Sequence, residues 1–305
     1  MKGIFENRST LYQFGLLIFI FLAGLFFASL LSMTINLIAG IPLGGGVPND
    51  LKGFLLTHLA LFMSDVFAFI IPAAVVAYLC SSRPRWFLLL NRLNNNYLWL
   101  YIILIMLFVF PLVDVAGFYN MKMHLPDFMK PVEGWMRAAE DLAAEVTKSI
   151  LIRKEIISLI INIFIIAICA AVAEELFFRG AVLSLIRKKI RNPHVAIIIV
   201  AVIFSAVHFQ FYGFLPRLIL GVVLGYLAVW TRSIWAPVFA HFLNNFIGVI
   251  SAFFSETDDV VNESVLLSDD ITSTGLLKVA VIVVCSLILT VLCSKKIIKI
   301  SNFTN

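Results

Sequence analysis

The chain alternates between long apolar runs and short polar stretches. About 20 consecutive apolar residues in a helix cross the hydrocarbon core of a bilayer, so runs of that length predict transmembrane spans. Eight such runs are present, separated by polar or Gly/Pro-bearing segments. They cover residues 11–40, 54–80, 98–119, 156–186, 195–211, 214–231, 233–254 and 276–294. The pattern predicts an all-α, polytopic bundle of about eight transmembrane helices.

The composition supports a membrane protein and excludes soluble classes. Hydrophobic residues make up 61% of the 305 residues, charged residues make up 13%, and the mean hydropathy is +1.01. Globular, disordered and fibrous proteins do not have this composition. The four cysteines lie in or beside apolar runs without regular spacing, which excludes a disulfide scaffold. Because no repeat or linker is evident, we expect residues 1–305 to form a single integral membrane domain, with the first run a retained span.

The basic residues predict the orientation of the bundle. With the N-terminus inside, the inner segments hold 13 of the 23 Lys and Arg residues, whereas the outer segment 255–275 holds six acidic residues and no basic one. This distribution follows the positive-inside rule and places both termini on the inner side. The net charge of +5 is therefore explained by topology, and we expect no nucleic-acid partner. The inner basic residues are Lys2, Arg8, Arg83, Arg85, Arg92, Arg187, Lys188, Lys189, Arg191, Arg232, Lys295, Lys296 and Lys299.

The long outer segment 120–155 carries mixed charges and a helical apolar pattern. Its apolar residues fall three or four positions apart, which predicts an amphipathic helix lying in the outer membrane interface. A helix that packs on the loop instead is the alternative. The residues that carry the pattern are Trp135, Ala139, Leu142, Val146 and Ile150.

The fourth run contains charged residues that need partners in hydrocarbon. Glu175 and Arg179 are four residues apart, so they share one helical face and are expected to form an ion pair. Glu174 lies about 100° around the helix and is left without that partner. The later runs offer His208, His241, Asn244 and Asn245.

These polar residues are predicted to lie at a similar depth. Glu174, His208 and Asn245 are 13, 16 and 13 residues from the inner end of their runs. At a rise of about 1.5 Å per residue, all three lie roughly 20–24 Å from the inner boundary. His241 is four residues before Asn245, which places an imidazole and a carboxamide on one face. Such a cluster is the chemistry of a water-activating or metal-binding centre.

Two aspartates also lie within apolar runs. Asp114 follows Pro111 near the outer end of its run, where a structural role is expected. Asp65 lies deeper, beside Ser64 and two turns after His58. It is the residue that best supports a different function, described below.

Three motifs on successive runs resemble those of the CPBP intramembrane proteases, named for CAAX prenyl endopeptidases and bacteriocin-processing enzymes. The resemblance covers residues about 156–250, which we take as the motif-bearing core. It implies that Glu174 is the catalytic carboxylate and that Glu175 and Arg179 complete its motif. It also implies that His208 is the histidine of the second motif and that His241 and Asn245 form the third. The motifs are Glu174-Glu175-x-x-x-Arg179, Phe204-x-x-x-His208 and His241-x-x-x-Asn245.

Two schemes for water activation follow from these residues. In one, Glu174 beside His208 takes a proton from a water that attacks the scissile carbonyl, while His241 and Asn245 donate to the oxyanion. In the other, Glu174, His208 and His241 bind Zn²⁺, which lowers the pKa of its bound water. The family is commonly classed as metalloproteases, and the sequence leaves both schemes open.

Two other functions compete with an endopeptidase acting on a peptide or protein in the bilayer. An ion-coupled transporter would use Glu174, His208, His241 and Asp65 as a substrate or proton path, although no inverted repeat is evident. A non-catalytic scaffold or immunity factor would keep the cluster for stability. Short loops and the lack of organelle signals favour a bacterial inner membrane for all three.

Overall fold

The computed structural model describes residues 2–38, 40, 50–93, 95–255 and 273–303. Ten helices, two short 3₁₀ turns and no strand occur in these ranges. The helices are α1 (Thr10–Ile38), α2 (Leu51–Cys80), α3 (Pro84–Phe87), α4 (Tyr97–Met121), α5 (Lys130–Leu151), α6 (Ile156–Lys189), α7 (Pro193–Ala206), α8 (Phe214–Thr231), α9 (Trp235–Phe254) and α10 (Ser273–Phe303).

Seven of the described helices are long and apolar enough to cross a membrane, namely α1, α2, α4, α6, α8, α9 and α10. The all-helical membrane bundle predicted from the apolar runs is therefore confirmed. The run 195–211 differs, because it forms the 14-residue α7, which at 1.5 Å per residue is only about 21 Å long. The chain leaves this helix at Val207, and Phe209 then adopts a left-handed backbone with φ of 54°.

The outer segment 120–155 contains the predicted amphipathic helix as α5. Trp135 and Leu142 on its apolar face are 56% and 63% exposed, whereas Ile150 at its end is buried. Its position in the membrane interface stays a prediction. The acidic segment 255–275 lies outside the described residues between 256 and 272.

Two apolar clusters hold the bundle together. The first joins α1, α2, α6 and α7, and the second joins α4, α8, α9 and α10. Helix α8 belongs to both, since Ala228 packs in the first cluster and Leu224 in the second. This shared helix therefore links the two halves of the bundle.

Glycines bring α7 and α8 unusually close. A Cβ added to Gly225 would lie 2.7 Å from Cγ2 of Ile197, and one added to Gly221 would lie 3.0 Å from Cβ of Ala201. This small-xxx-small spacing is how membrane helices approach each other without side chains between them. The close approach fixes the position of the Gly221 carbonyl, which serves the site described below.

The two ends of the described chain lie at the same end of the bundle, because Lys2 and Ser301 line one cleft with Arg83 and Arg232. The side of the membrane that this end faces stays a prediction.

Three stretches of wider π-helix interrupt the long helices. They are Asp65–Ile70 in α2, and Ile163–Cys169 and Leu176–Val182 in α6. Such turns are rare, and they occur frequently at functional sites. Glu174 and Glu175 lie between the two π-helical stretches of α6.

Candidate active site

A fully buried ion pair lies at the centre of the site. Nη1 of Arg179 donates to Oε1 of Glu175 at 2.6 Å, and both side chains are 0% exposed. Nη2 of Arg179 donates to the carbonyl of Gly221 on α8 at 3.1 Å, and the guanidinium lies 4.6 Å from the ring centre of Phe204 on α7. The pair expected from the four-residue spacing is therefore present, and it joins α6 to both α7 and α8.

The same carboxylate orients His241 on α9. Nδ1 of His241 lies 2.9 Å from Oε1 of Glu175. Because a carboxylate only accepts hydrogen bonds, this contact assigns the proton to Nδ1 and leaves Nε2 free. The sequence did not predict this contact, since it requires the rotation of α9 relative to α6.

Glu174 lies on the other side of this imidazole. Its Oε2 is 3.9 Å from Nε2 of His241, and this oxygen is buried without a hydrogen-bond partner. A separation of 3.9 Å is too long for a direct hydrogen bond and is typical of a polar pair bridged by water. Of the partners considered for Glu174, His241 is thus at a distance that one bridging water can span.

His208 lies just beyond the end of α7 and packs on Phe204. Its Nδ1 donates to the carbonyl of Phe204 at 2.7 Å, and the two ring centres are 5.1 Å apart. Phe204 also lies 5.9 Å from the ring of His241, so one phenyl ring contacts both imidazoles. Glu174 interacts electrostatically with His208. Arg179 of the first motif, His208 of the second and His241 of the third therefore all lie around the ring of Phe204.

Three side chains from other helices hold the loop that carries His208. Arg217 on α8 donates from both terminal nitrogens to Gln210, to the side-chain oxygen at 2.7 Å and to the backbone carbonyl. Asn120 on α4 donates to the carbonyl of Phe211 at 3.0 Å, and Glu140 on α5 accepts from the amide of Tyr212 at 3.0 Å. The sequence prediction missed Arg217, although a charged residue within an apolar run was the signal that could have found it.

Asn245 is placed differently from the other motif residues. Its Nδ2 donates to the carbonyl of Ile166 at 3.1 Å, and its Oδ1 accepts from Asn244 at 3.2 Å. Ile166 lies in the first π-helical stretch of α6. Within the part of the chain that the structure describes, no hydrogen bond joins Asn245 to Glu174, His208 or His241. Its role as an oxyanion donor stays a prediction.

A cavity of about 230 Å³ opens beside Glu174. Asp65 on α2 and Thr147 on α5 line it, together with apolar residues that form most of its wall. Asp65 interacts electrostatically with Glu174, so the two carboxylates face one space. Asp114 does not line this cavity. The apolar lining residues are Leu61, Ile150, Leu151, Ile165, Ile166 and Ala170.

Only some of the side chains considered as zinc ligands lie close to one another. Glu174 and His241 approach each other, whereas His208 makes its hydrogen bond to Phe204 with one ring nitrogen. Over residues 2–38, 40, 50–93, 95–255 and 273–303, no group of three His, Cys, Asp or Glu side chains is close enough to hold a metal ion. The residues as arranged do not fit a three-ligand zinc site, so no step below uses one.

A scan of protein-family models gives an independent comparison. Residues 156–247 match the family described as type II CAAX prenyl endopeptidase Rce1-like. This match supports the resemblance of the motif-bearing core to the CPBP family of CAAX-type proteases. The matched segment contains all three motifs and covers α6 to most of α9. The family implies protease activity in general.

The other two comparisons add no relative. Neither the search of curated proteins nor the search of solved structures found a match.

Proposed function

We propose that this chain, which resembles the CPBP family, is an intramembrane endopeptidase in which Glu174 activates a water. The observation that carries the proposal is the buried, unpartnered Oε2 of Glu174, which lies 3.9 Å from the free nitrogen of His241. A water between these atoms would complete the hydrogen bonding of both.

The proposed chemistry assigns one task to each group. Oε2 of Glu174 accepts a proton from the bridging water as its oxygen attacks the scissile carbonyl, and Nε2 of His241 accepts the other hydrogen and orients the water. Glu174 then returns the proton to the leaving amine, which restores the carboxylate. Glu175 fixes the ring of His241, as the buried aspartate does in a serine-protease triad.

The remaining motif residues serve the oxyanion in this proposal. Nδ2 of Asn245 has a second hydrogen besides the one donated to Ile166, and this hydrogen is available to the developing negative charge. His208, held by its hydrogen bond to the carbonyl of Phe204, packs on the same phenyl ring as Arg179 and has a supporting role in this proposal.

The cavity beside Glu174 indicates the kind of peptide that is cleaved. Six of its nine lining residues are apolar, so a segment with apolar side chains next to the scissile bond is favoured. The enzyme would act on a peptide or protein within the lipid bilayer, and we propose a bacterial inner membrane as its location.

The test is a comparison of membrane proteomes from cells with the natural chain and with Glu174→Gln. The glutamine keeps the shape of the side chain and removes the base, so we expect a loss of about 10²–10⁴-fold in cleavage rate with unchanged insertion. At least one peptide bond should then persist only in the variant. Asp114→Asn, which removes a carboxylate from another span, is the matched control.

Other outcomes would favour other functions. If Glu174→Gln keeps full biological activity, catalysis by this carboxylate is wrong and a scaffold or immunity role is favoured. If the variant instead loses ion flux in liposomes with purified protein, the site belongs to a transporter.

A further inference from the structure

A basic cleft of about 780 Å³ lies at the end of the bundle that holds the two chain ends. The N-terminal segment, the segments on both sides of α3, the α8–α9 turn and the end of α10 all contribute to it. Among the described residues, five basic side chains and no acidic one line it. The basic residues are Lys2, Arg83, Arg85, Arg92 and Arg232.

The basic residues of this cleft have no acidic partner among the residues that the structure describes. Within the described ranges, none of the five forms an ion pair with a carboxylate. Glu6 is near in sequence, but its two carboxylate oxygens accept from the amide and the hydroxyl of Ser82 at 3.0 and 3.1 Å. Five cations around one concave surface repel one another, and an anion in the cleft would relieve that repulsion.

Hydrogen bonds between loops build the walls of the cleft. Nδ2 of Asn91 donates to the carbonyl of Arg232 at 2.8 Å, and the hydroxyl of Ser233 donates to the carbonyl of Asn91 at 2.6 Å. The amide of Ile234 donates to the carbonyl of Leu89 at 2.7 Å. The loop before α4 is thus tied to the α8–α9 turn, so the cleft is preformed.

The backbone of Arg232 supports a role for its side chain. It has φ of 51° at the end of α8, a left-handed conformation that glycine or asparagine usually supplies at this position. An arginine there carries a conformational cost of about 1 kcal/mol or more. Strain of this kind is typical of functional positions, where the side chain is needed.

We propose that this cleft binds the phosphate group of an anionic lipid headgroup. Arginine guanidinium groups match phosphate oxygens in paired hydrogen bonds, and basic pockets at the inner ends of membrane helices bind such headgroups. Trp86, which is 64% exposed, lines the same cleft, and tryptophan is enriched at the headgroup level of membranes. The basic side chains and the exposed tryptophan together favour a lipid over a soluble anion as the ligand.

The experiment measures binding to the purified full-length protein. Native mass spectrometry after reconstitution counts the lipids retained from phosphatidylcholine nanodiscs with and without phosphatidylglycerol. Thermal unfolding in detergent is then titrated with phosphatidylglycerol in one arm and with inorganic phosphate in the other. The cleft variants are the pairs Arg92→Gln with Arg232→Gln and Arg85→Gln with Arg92→Gln, each first checked for cooperative unfolding.

The expected result is retention of phosphatidylglycerol by the natural chain and a loss of about 30-fold in affinity in each cleft variant, since each of the two basic residues removed contributes about fivefold near a lipid surface. The control pair Arg187→Gln with Lys189→Gln removes the same charge from exposed positions outside the cleft and should leave the affinity unchanged. Equal losses in the control and the cleft variants would overturn the proposal, as would the absence of retained lipid. Stabilisation by inorganic phosphate alone would overturn the lipid assignment.

Discussion

Removing the Glu175 carboxylate should test whether the buried ion pair is both structural and functional. In Glu175→Gln, the guanidinium of Arg179 keeps its contacts with Gly221 and Phe204 but loses the charge that neutralises it. Both side chains are 0% exposed, so water cannot replace the carboxylate. Breaking one side of a buried pair costs about 3–5 kcal/mol, and we expect a loss of unfolding free energy in that range.

A double-mutant cycle separates this charge effect from the packing effect. Arg179→Met fills much of the same volume without a charge, so the double variant Glu175→Gln with Arg179→Met should be more stable than Glu175→Gln alone. Cleavage should not recover, because the glutamine amide can accept from or donate to Nδ1 of His241 and so no longer imposes the tautomer that leaves Nε2 free. Stability is measured by reversible unfolding in detergent, and cleavage is measured on the substrate found in the proteome comparison.

An exposed pair on the same chain provides the control. Asp127 and Lys130 are 2.9 Å apart with side chains 92% and 73% exposed, so Asp127→Asn should change the unfolding free energy by less than about 1 kcal/mol. If Glu175→Gln is no more destabilising than this control, the buried-pair reasoning is refuted. If the double variant cleaves at the natural rate, the role of Glu175 in orienting His241 is refuted.

Three further predictions concern the support of the site. Gly221→Ala should lower the unfolding free energy by about 1–3 kcal/mol and slow cleavage, because the new methyl would lie 3.1 Å from the Cα of Ala201. The control Gly248→Ala, with open space around it, should not destabilise the fold in the same unfolding assay. Arg217→Met should lower kcat about tenfold with little change in KM, because it releases Gln210 in the loop that holds His208. Arg217→Lys should restore part of the loss, and a change confined to KM would contradict this prediction. Metal analysis of the purified natural chain and of His208→Ala should find no stoichiometric zinc in either, and one zinc per chain that is lost in the variant would favour the metal scheme.

The sequence predicted the parts of the molecule that depend on local spacing. Apolar runs of sufficient length gave the bundle, and the four-residue separation of Glu175 and Arg179 gave their ion pair. The matching depth was the reason to expect the motif residues near one another; Phe204 contacts the imidazoles of His208 and His241, whereas Asn245 donates to Ile166. These inferences need only helix geometry, which is the same in lipid as in water.

The sequence could not predict contacts that depend on how the helices rotate and widen. The four-residue spacing of His241 and Asn245 places both on one face, yet His241 contacts Glu175 whereas Asn245 donates to Ile166. A π-helical stretch shifts the register of every residue after it and has no reliable signal in a single sequence. The short α7 was missed for a related reason, since hydropathy does not reveal the left-handed turn at Phe209.

The π-helical stretches give a physical reason why this site can exist in an apolar bundle. Glu174 and Glu175 are flanked by two of them, Asp65 begins the third, and the carbonyl that receives Asn245 belongs to one. A wider turn exposes backbone groups that a regular helix satisfies internally, and in hydrocarbon these groups must find a polar partner. The polar side chains and the irregular helices therefore support each other: the wider turns position the carboxylates, and Asn245 satisfies one carbonyl of the first wider stretch of α6. Replacing any one of these groups should accordingly alter both the stability of α6 and the reactivity of Glu174.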